Sequence, residues 1–415
     1  MISGWMGWVT LQPRQRPDLR KNAWLRNIRM RLTSCKPGSM TDLTALWRFN
    51  RSKLASSLVQ RVLGKSRIAL FGPRQTGKTT LLREEVMPLI EERGALAVYL
   101  ECWADKTDPL GSINYGVQKA LDTLKVSPRG LKRTGRTPVR KLGLGGVTLE
   151  LGDEPARKPP QSKFLLFDSL LTQLLEETRK DLILIFDEFQ AVAYGAQADA
   201  AAAALRSALA QASRRVGAIF SGSSETMLLE MFSRSKAPLY GFANPEPYPL
   251  LGEDFIVHVA KKYRLATGRD LNPLDAFRVL DLLGRQPEPF LNAVGNTMSN
   301  PKWQLEDGLK AMLDPGVRNK WTINWFALTD LQRAALRLVF ERRLPTSAES
   351  LRWLAGELNE KKVQGSSVTR AIEALQMKGL VSRDMAQAGK GFVLSDPVML
   401  AWLTQNKNLP LKQGG

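Results

Sequence analysis

The sequence predicts an α/β fold: a parallel β-sheet with helices on both faces, then several helical segments and a C-terminal winged helix-turn-helix domain. Three observations predict it. Four short segments are apolar throughout, as strands buried on both faces are. Segments with helical spacing alternate with them, which is typical of parallel strands joined by crossover helices. After residue 316 the pattern changes to three helices followed by two short strands.

The central sheet is predicted from the apolar segments themselves. We expect strands at 67–71, 96–100, 182–186 and 216–220. Helical spacing from 79 to 90 follows the first strand after a glycine-containing loop, and an alanine-rich helix at about 196–214 joins the last two strands. The polar residues that end these strands should therefore meet at one edge of the sheet.

Composition limits the classes of function. No run of about 18 apolar residues is present, so no membrane span is expected. Two cysteines, Cys35 and Cys102, cannot build a disulfide framework or a zinc site, which suits a reducing compartment. A single histidine, His258, excludes sites built from several histidines. We expect a cytoplasmic protein.

The net charge of +20 is concentrated in three segments. Residues 1–40, 126–163 and 316–415 carry +7, +6 and +7, and the rest of the chain is neutral. Such segregation favours contact with a polyanion, most often nucleic acid. A basic surface that serves only solubility is the alternative.

The loop after the first strand fits the pattern G-x-x-x-x-G-K-[ST] of a P-loop. Its glycines let backbone N–H groups wrap an anion, and the helix that follows adds the positive end of its dipole. We expect Lys78 to neutralise the β- and γ-phosphates of ATP and the Thr79 hydroxyl to bind Mg²⁺. The predicted nucleotide-binding residues are Gly72, Pro73, Arg74, Gln75, Thr76, Gly77, Lys78, Thr79 and Thr80.

Two acidic residues end the third strand, in the segment LILIFDE. Asp187 is positioned to hold Mg²⁺ through water, and Glu188 to orient or deprotonate an attacking water. Both carboxylates together favour hydrolysis over nucleotide binding alone. Two acids that end an ordinary strand are the alternative.

Further catalytic candidates follow the fourth strand. Ser221 is our preferred sensor of the γ-phosphate, while Ser223 or Ser224 could serve simply as the N-cap of the helix that starts near Glu225. Hydrolysis usually needs another cation at the γ-phosphate. Arg234, acting from a neighbouring copy in a homo-oligomer, is one candidate, and Arg285 is another; an ordinary surface arginine is the alternative for each.

At these residues the chain resembles the archaeal-type ATPases of the STAND branch, within the AAA+ and STAND group of P-loop NTPases. The matching pieces are FGPRQTGKTTLL, LIFDEFQ, FSGSSETMLLEMF and APLYG. The resemblance implies a five-stranded ATPase domain, a helical lid and a C-terminal winged helix. Two departures stand out: Phe242 follows PLYG where the family commonly has arginine, and the Gly/Pro motif of the lid is irregular at 284–289. Initiator ATPases of origin recognition are similar in architecture.

The predicted organisation has four parts. Residues 1–40 lack periodicity and form a basic leader, expected to be disordered; an organelle transit peptide or a DNA-contacting arm are alternatives. The ATPase domain spans 41–251, with a basic insertion at 126–163 that includes a β-like stretch at 147–151. The lid spans 252–315 and the winged-helix domain 316–415.

The C-terminal part is predicted from helix signals. Thr329-x-x-Gln332 and Thr346-x-x-Glu349 have capping-box form and open helices at about 330–343 and 347–358. A third helix, 367–378, precedes strands near 380–381 and 392–394. In a winged helix its outward side and the ribbon could contact DNA. The candidate contacts are Ser367, Thr369, Arg370, Arg383 and Lys390.

Two functions fit these patterns, and a weaker third remains. The first is an ATP-hydrolysing protein that associates with DNA through its winged helix and basic segments. The second is a nucleotide-switched regulatory ATPase whose winged helix docks protein, since winged helices also serve that purpose and Glu373 would repel phosphate. The third is a nucleotide-binding scaffold with little turnover.

Overall fold

The computed structural model describes residues 47–105, 107–126, 160–317, 319–384 and 391–412. The predicted leader 1–40, most of the insertion 126–163 with its β-like stretch, and Lys390 lie outside the described residues. The described chain forms two compact units. The first comprises Phe49–Gly252 and Leu283–Pro289, and the second comprises 47–48, Glu253–Leu282 and 290–412.

The first unit is built on a five-stranded parallel sheet of order β2-β3-β4-β1-β5. Its strands are β1 (Arg67–Phe71), β2 (Leu96–Glu101), β3 (Leu182–Asp187), β4 (Val216–Gly222) and β5 (Asn244–Pro247). Its helices are α1 (Ser52–Leu63), α2 (Lys78–Leu81), α3 (Met87–Glu92), α4 (Pro109–Val126), α5 (Lys163–Thr178), α6 (Ala198–Gln211) and α7 (Glu225–Ser233).

The core of this unit lies on both faces of the sheet. Alternate residues of β3 enter different apolar clusters: Leu184 and Phe186 pack with α4, α5 and α6, whereas Ile183 and Ile185 pack with α1, α2 and α3. Every residue of β3 and β4 is buried. The α/β fold predicted from the apolar strands is thus confirmed.

Two details of this unit differ from the sequence pattern. The fifth strand, β5, has the sequence NPEP and shows no apolar run; as an edge strand beside β1 it tolerates two prolines, which lack an N–H donor. The predicted helix at 79–90 is interrupted, because a π-helical segment, Leu82–Val86, separates α2 from α3. Both details lie next to the loop at 72–79.

The second unit is largely helical. Its elements are α8 (Glu253–Thr267), α9 (Pro273–Leu282), α10 (Pro287–Ser299), α11 (Leu305–Met312), α12 (Lys320–Phe326), α13 (Asp330–Phe340), α14 (Ala348–Glu357), α15 (Gly365–Met377), β6 (Val381–Asp384), β7 (Gly391–Leu394) and α16 (Pro397–Gln405). The strands β6 and β7 pair antiparallel. Helix α13 packs against α14, α15 and β7. The predicted division of this part into a lid and a winged-helix domain stays a prediction.

The two predicted caps of this unit have different outcomes. Thr329 and Gln332 form the capping box that opens α13. The cap of α14 is Ser347, whose Oγ accepts from the Ser350 amide at 3.1 Å, so the prediction of Thr346 was wrong by one residue. The glutamate of that expected box, Glu349, is instead bonded to Arg343 at 3.0 Å. None of the helices in the described ranges is both long and apolar enough to cross a membrane.

Candidate functional site

The loop between β1 and α2 curls tightly. Gln75 and Gly77 have positive φ values, 63° and 93°, and the Thr76 hydroxyl donates to the Pro73 carbonyl at 2.8 Å. At Gly77 any side chain would be strained, because L-residues rarely adopt this conformation. Pro73, Arg74 and Gln75 are exposed, as are Thr79 and Thr80 at the start of the helix. The loop therefore presents its rim to solvent.

Lys78 reaches back into the loop. Its Nζ donates to the carbonyls of Gly72 and Pro73, each at 2.6 Å, and the residue is only 5% exposed. Burial lowers the pKa of the Lys78 ammonium, while the negative charges of Glu188 and Asp187 oppose that shift. An ammonium that is largely stripped of water and held by neutral carbonyls is suited to receive an anion.

Asp187, at the carboxyl end of β3, is the meeting point of three segments. Its Oδ2 accepts hydrogen bonds from the Thr79 hydroxyl and the Tyr99 hydroxyl, both at 2.6 Å. Its Oδ1 accepts from the Glu188 amide at 3.1 Å. Tyr99 reaches Asp187 because β2 and β3 are neighbours, whereas Thr79 comes from the helix after β1, two strands away from β3. The loop and the acidic strand end thus form one site.

The oxygen atoms of this site fit a magnesium ion. Mg²⁺ prefers hard oxygen ligands and is commonly held by one or two carboxylates together with substrate phosphates and water. Asp187 offers a carboxylate and Thr79 a hydroxyl, in contact with each other. Within the described ranges no cluster of three or more His, Cys, Asp or Glu side chains could cage a metal alone. The pair formed by Asp187 and Thr79 suits an ion that takes further ligands from phosphate and water.

Glu188 is held by two polar neighbours. The residue has a left-handed backbone, with φ of 52°. Its Oε2 accepts from the Ser223 hydroxyl at 2.8 Å and from the Gln190 amide, whose Nε2 also donates to Ser223 Oγ at 3.1 Å. Gly222 makes room for this arrangement, because a Cβ there would lie 2.3 Å from Gln190 Oε1. The carboxylate is thus fixed beside the loop.

The three serines after β4 have different surroundings. Ser221 is fully buried and its Oγ has no hydrogen-bond partner, because it still lies within the strand. Ser223 follows the end of the strand and contacts Glu188. Ser224 caps α7, accepting from the Met227 amide at 3.4 Å. Of the three, Ser223 is the one that contacts Glu188 and the loop residue Arg74, and the role of Ser221 as sensor of the γ-phosphate stays a prediction.

Arg74 connects the loop to an aromatic pair that the sequence analysis did not single out. Its Nε donates to Ser223 Oγ at 3.3 Å, and its guanidinium lies 5.6 Å from the ring centre of Trp103. Trp103 in turn stacks on Tyr194 at 5.9 Å. Tyr99 and Gln190 were also missed: Tyr99 is part of an apolar strand, and Gln190 follows the acidic pair without a recognised spacing.

Arg234 lies at the C-terminal end of α7, on the rim of a surface cavity of about 360 Å³. Asp199, Glu230 and Lys236 carry the other charges of this cavity. Lys78, Asp187 and Glu188 are not part of its lining. The structure therefore does not join Arg234 to the loop site within one chain, and a role from a neighbouring copy stays a prediction.

The candidate DNA contacts lie on α15 and the ribbon. Thr369 and Arg370 are exposed, Ser367 is half-buried, and the opposite side of the helix is buried through Val368 and Ile372. Thr369 donates its hydroxyl to the Gly365 carbonyl at 3.1 Å. The backbone of Arg383 belongs to β6, but its side chain, like Lys390, is outside the described part. Two further exposed cations, Lys361 and Lys362, precede α15.

Comparison with known proteins shows the fold. A Walker-type ATPase of Pyrococcus abyssi is similar with a TM-score of 0.51 and 19% identity, over 86% of this chain and 96% of that chain. The Aeropyrum pernix Orc1 protein, solved in complex with DNA, gives 0.46 and 14%, over 89% and 94%. The Orc2 protein of that organism, in ADPNP–ADP complexes, gives 0.45 and 16%, over 86% and 93%.

The likeness to the Pyrococcus abyssi protein concerns the fold. The chain has the α/β fold of a P-loop ATPase, with a five-stranded parallel sheet in the order described above. No protein-family model matches the sequence. No curated protein matches it either. The narrower resemblance to the STAND branch therefore stays a prediction.

Proposed function

We propose that this chain is an ATPase that binds and hydrolyses Mg-ATP between the loop Gly72–Thr79 and the end of β3. One observation carries the proposal: the Thr79 hydroxyl donates to Asp187 at 2.6 Å, beside the buried Lys78. Burial lowers the pKa of the Lys78 ammonium, and the nearby charges of Glu188 and Asp187 oppose that shift. A cation for phosphate, an oxygen pair for magnesium and a second carboxylate are thereby gathered at one edge of the sheet.

Each residue has a role in this proposal. The amides of the loop and the Lys78 ammonium bind the β- and γ-phosphates, and the carbonyls that now hold Lys78 are replaced by phosphate oxygens. Thr79 and Asp187 hold the magnesium ion, which, when bound, neutralises charge on the phosphates. Glu188 orients the attacking water and accepts its proton.

Ser223, rather than Ser221, is the polar residue that we propose to link Glu188 to the γ-phosphate. Its hydroxyl contacts Glu188, Gln190 and the loop residue Arg74.

We expect Ser223→Ala to lower the hydrolysis rate about ten-fold or more, because the charged carboxylate of Glu188 loses a hydrogen bond. Ser221→Ala, at the buried hydroxyl without a partner, is the matched control and should leave the rate within about two-fold. The reverse ranking in a phosphate-release assay would contradict this assignment.

Association with DNA is the second part of the proposal. The three basic segments and the exposed Arg370 on α15 support it. Helix α15 and the ribbon β6–β7 follow α13 and α14 in the order expected of a winged helix. In this proposal α15 enters a groove, while Lys361, Lys362 and the ribbon contact phosphates.

The DNA contacts are tested by charge reversal. Duplex affinity should fall about ten-fold or more between ~50 and ~200 mM salt, because lysines and arginines release counterions on binding. The double substitution Arg370→Glu and Lys390→Glu should weaken binding by a further ten-fold or more at the lower salt. Fluorescence anisotropy with a labelled duplex measures both effects.

The matched control reverses two exposed charges outside the basic segments, Arg93→Glu and Lys119→Glu, and should leave DNA affinity unchanged. The alternative is a regulatory ATPase whose winged helix docks protein. Under this alternative the wild-type chain binds DNA weakly and with no dependence on salt. Charge reversal at 370 and 390 then leaves the DNA affinity unchanged. That result would overturn DNA association without affecting the proposal of ATP hydrolysis.

A further inference from the structure

Tyr99 lies on β2 and packs on the face of the sheet that α1, α2 and α3 cover. It pairs in register with Ile185 of β3, and Glu101, two residues later, pairs with Asp187. Residues two apart on a strand point to the same face. The Tyr99 hydroxyl therefore approaches Asp187 from the side and donates to its Oδ2 at 2.6 Å.

The ring of Tyr99 also contacts an arginine. The guanidinium of Arg83 lies 4.9 Å from its ring centre. Arg83 belongs to the π-helical segment Leu82–Val86, four residues beyond Thr79. π-Helical turns inside α-helices occur frequently at functional sites, where they re-aim side chains. The same stretch of chain thus supplies both the hydroxyl of Thr79 and the guanidinium of Arg83 that contacts the ring of Tyr99.

Three hydrogen bonds hold the Asp187 carboxylate. Its Oδ2 accepts from two hydroxyls and its Oδ1 from one amide, and the residue is 3% exposed. The Tyr99 hydroxyl is the donor in its contact with Asp187, because an ionised carboxylate only accepts. Loss of that donor would leave Oδ2 with the Thr79 hydroxyl as its one partner among these contacts, so the carboxylate would be held less firmly.

We propose that Tyr99 is a positioning residue for the divalent cation of the nucleotide: its hydroxyl fixes the Asp187 carboxylate beside the Thr79 hydroxyl. The inference rests on the proposed function, because it concerns the cation that accompanies ATP. Hydrogen-bond partners of metal-binding groups commonly contribute ten- to a hundred-fold to metal affinity. Tyr99 fits that role because its hydroxyl donates to Asp187.

The experiment measures binding rather than turnover. A fluorescent ATP analogue is titrated onto the full chain in EDTA and at increasing Mg²⁺, and Mn²⁺ binding is followed by electron paramagnetic resonance. In Tyr99→Phe, affinity for the analogue in EDTA should be unchanged, while the Mg²⁺ or Mn²⁺ concentration for half-maximal effect rises about ten-fold. Tyr263→Phe in the second unit is the matched control, since its ring also lies near an arginine, Arg269.

The outcomes separate the two proposals. An unchanged cation requirement in Tyr99→Phe, or an equal loss of affinity in EDTA, overturns the role of Tyr99. A wild-type chain that ignores the nucleotide defeats the proposed function instead. With Asp187→Asn already present, Tyr99→Phe should have no further effect on the cation requirement.

A second variant covers the case in which Tyr99→Phe does not fold, as judged by its melting temperature in EDTA. Arg83→Met keeps the hydroxyl but releases the ring of Tyr99. It should raise the cation requirement in the same direction by a few-fold, and an unchanged requirement there also overturns the inference.

Discussion

Glu188→Gln is expected to lower the rate of ATP hydrolysis by about a hundred-fold or more while ATP affinity stays within about two-fold. The amide keeps the size of the side chain, and its oxygen can still accept from Ser223 and Gln190, which hold Glu188 now. It cannot accept a proton from the attacking water. Single-turnover hydrolysis and equilibrium binding of ATP, measured on the same preparation, separate the two quantities.

The control for this prediction is Glu92→Gln, which neutralises an exposed carboxylate at the end of α3 and should change neither quantity. Unchanged turnover in Glu188→Gln would remove Glu188 from the mechanism. Loss of ATP binding in that variant would show instead that the carboxylate supports the loop.

Lys78→Ala is expected to weaken ATP binding about a hundred-fold or more and to abolish measurable hydrolysis. The buried ammonium makes two hydrogen bonds that phosphate oxygens would take over, and bonds to charged groups are among the strongest in proteins. The melting temperature without nucleotide should change little, because the two lost hydrogen bonds are offset by removal of a buried charge. Calorimetric titration with ATP and a thermal melt measure the two effects.

Lys53→Ala removes an exposed lysine of α1 and is the control. It should leave both ATP affinity and melting temperature unchanged. A Lys78→Ala chain that binds ATP as tightly as the wild type would contradict the assignment of the loop. A chain that unfolds without nucleotide would show that Lys78 is required for the fold.

Strong local patterns made the core of the fold predictable. Strands such as β3 are apolar at every position, because both of their faces are covered, and they were predicted to within one or two residues. The P-loop was predictable because its chemistry demands fixed residue types at fixed spacing. β5 was not, since two prolines at a sheet edge resemble a loop.

The finer features of the site depend on tertiary contacts. Tyr99 reads as one more apolar residue in a strand, and only the pairing of β2 with β3 brings its hydroxyl to Asp187. Gln190 and Ser223 meet through the neighbouring ends of β3 and β4. The choice of Ser221 as sensor followed its place at a strand tip. The strand continues through Gly222, which leaves Ser221 inside it.

The most direct test of the account is steady-state release of phosphate from ATP by the purified chain, with Mg²⁺ and with EDTA, in the presence and absence of duplex DNA. Hydrolysis should depend on Mg²⁺, be abolished in Lys78→Ala and fall about a hundred-fold or more in Glu188→Gln, whatever the effect of DNA. Release of phosphate that persists in both variants, or a wild-type chain that neither binds nor hydrolyses ATP, would contradict the account.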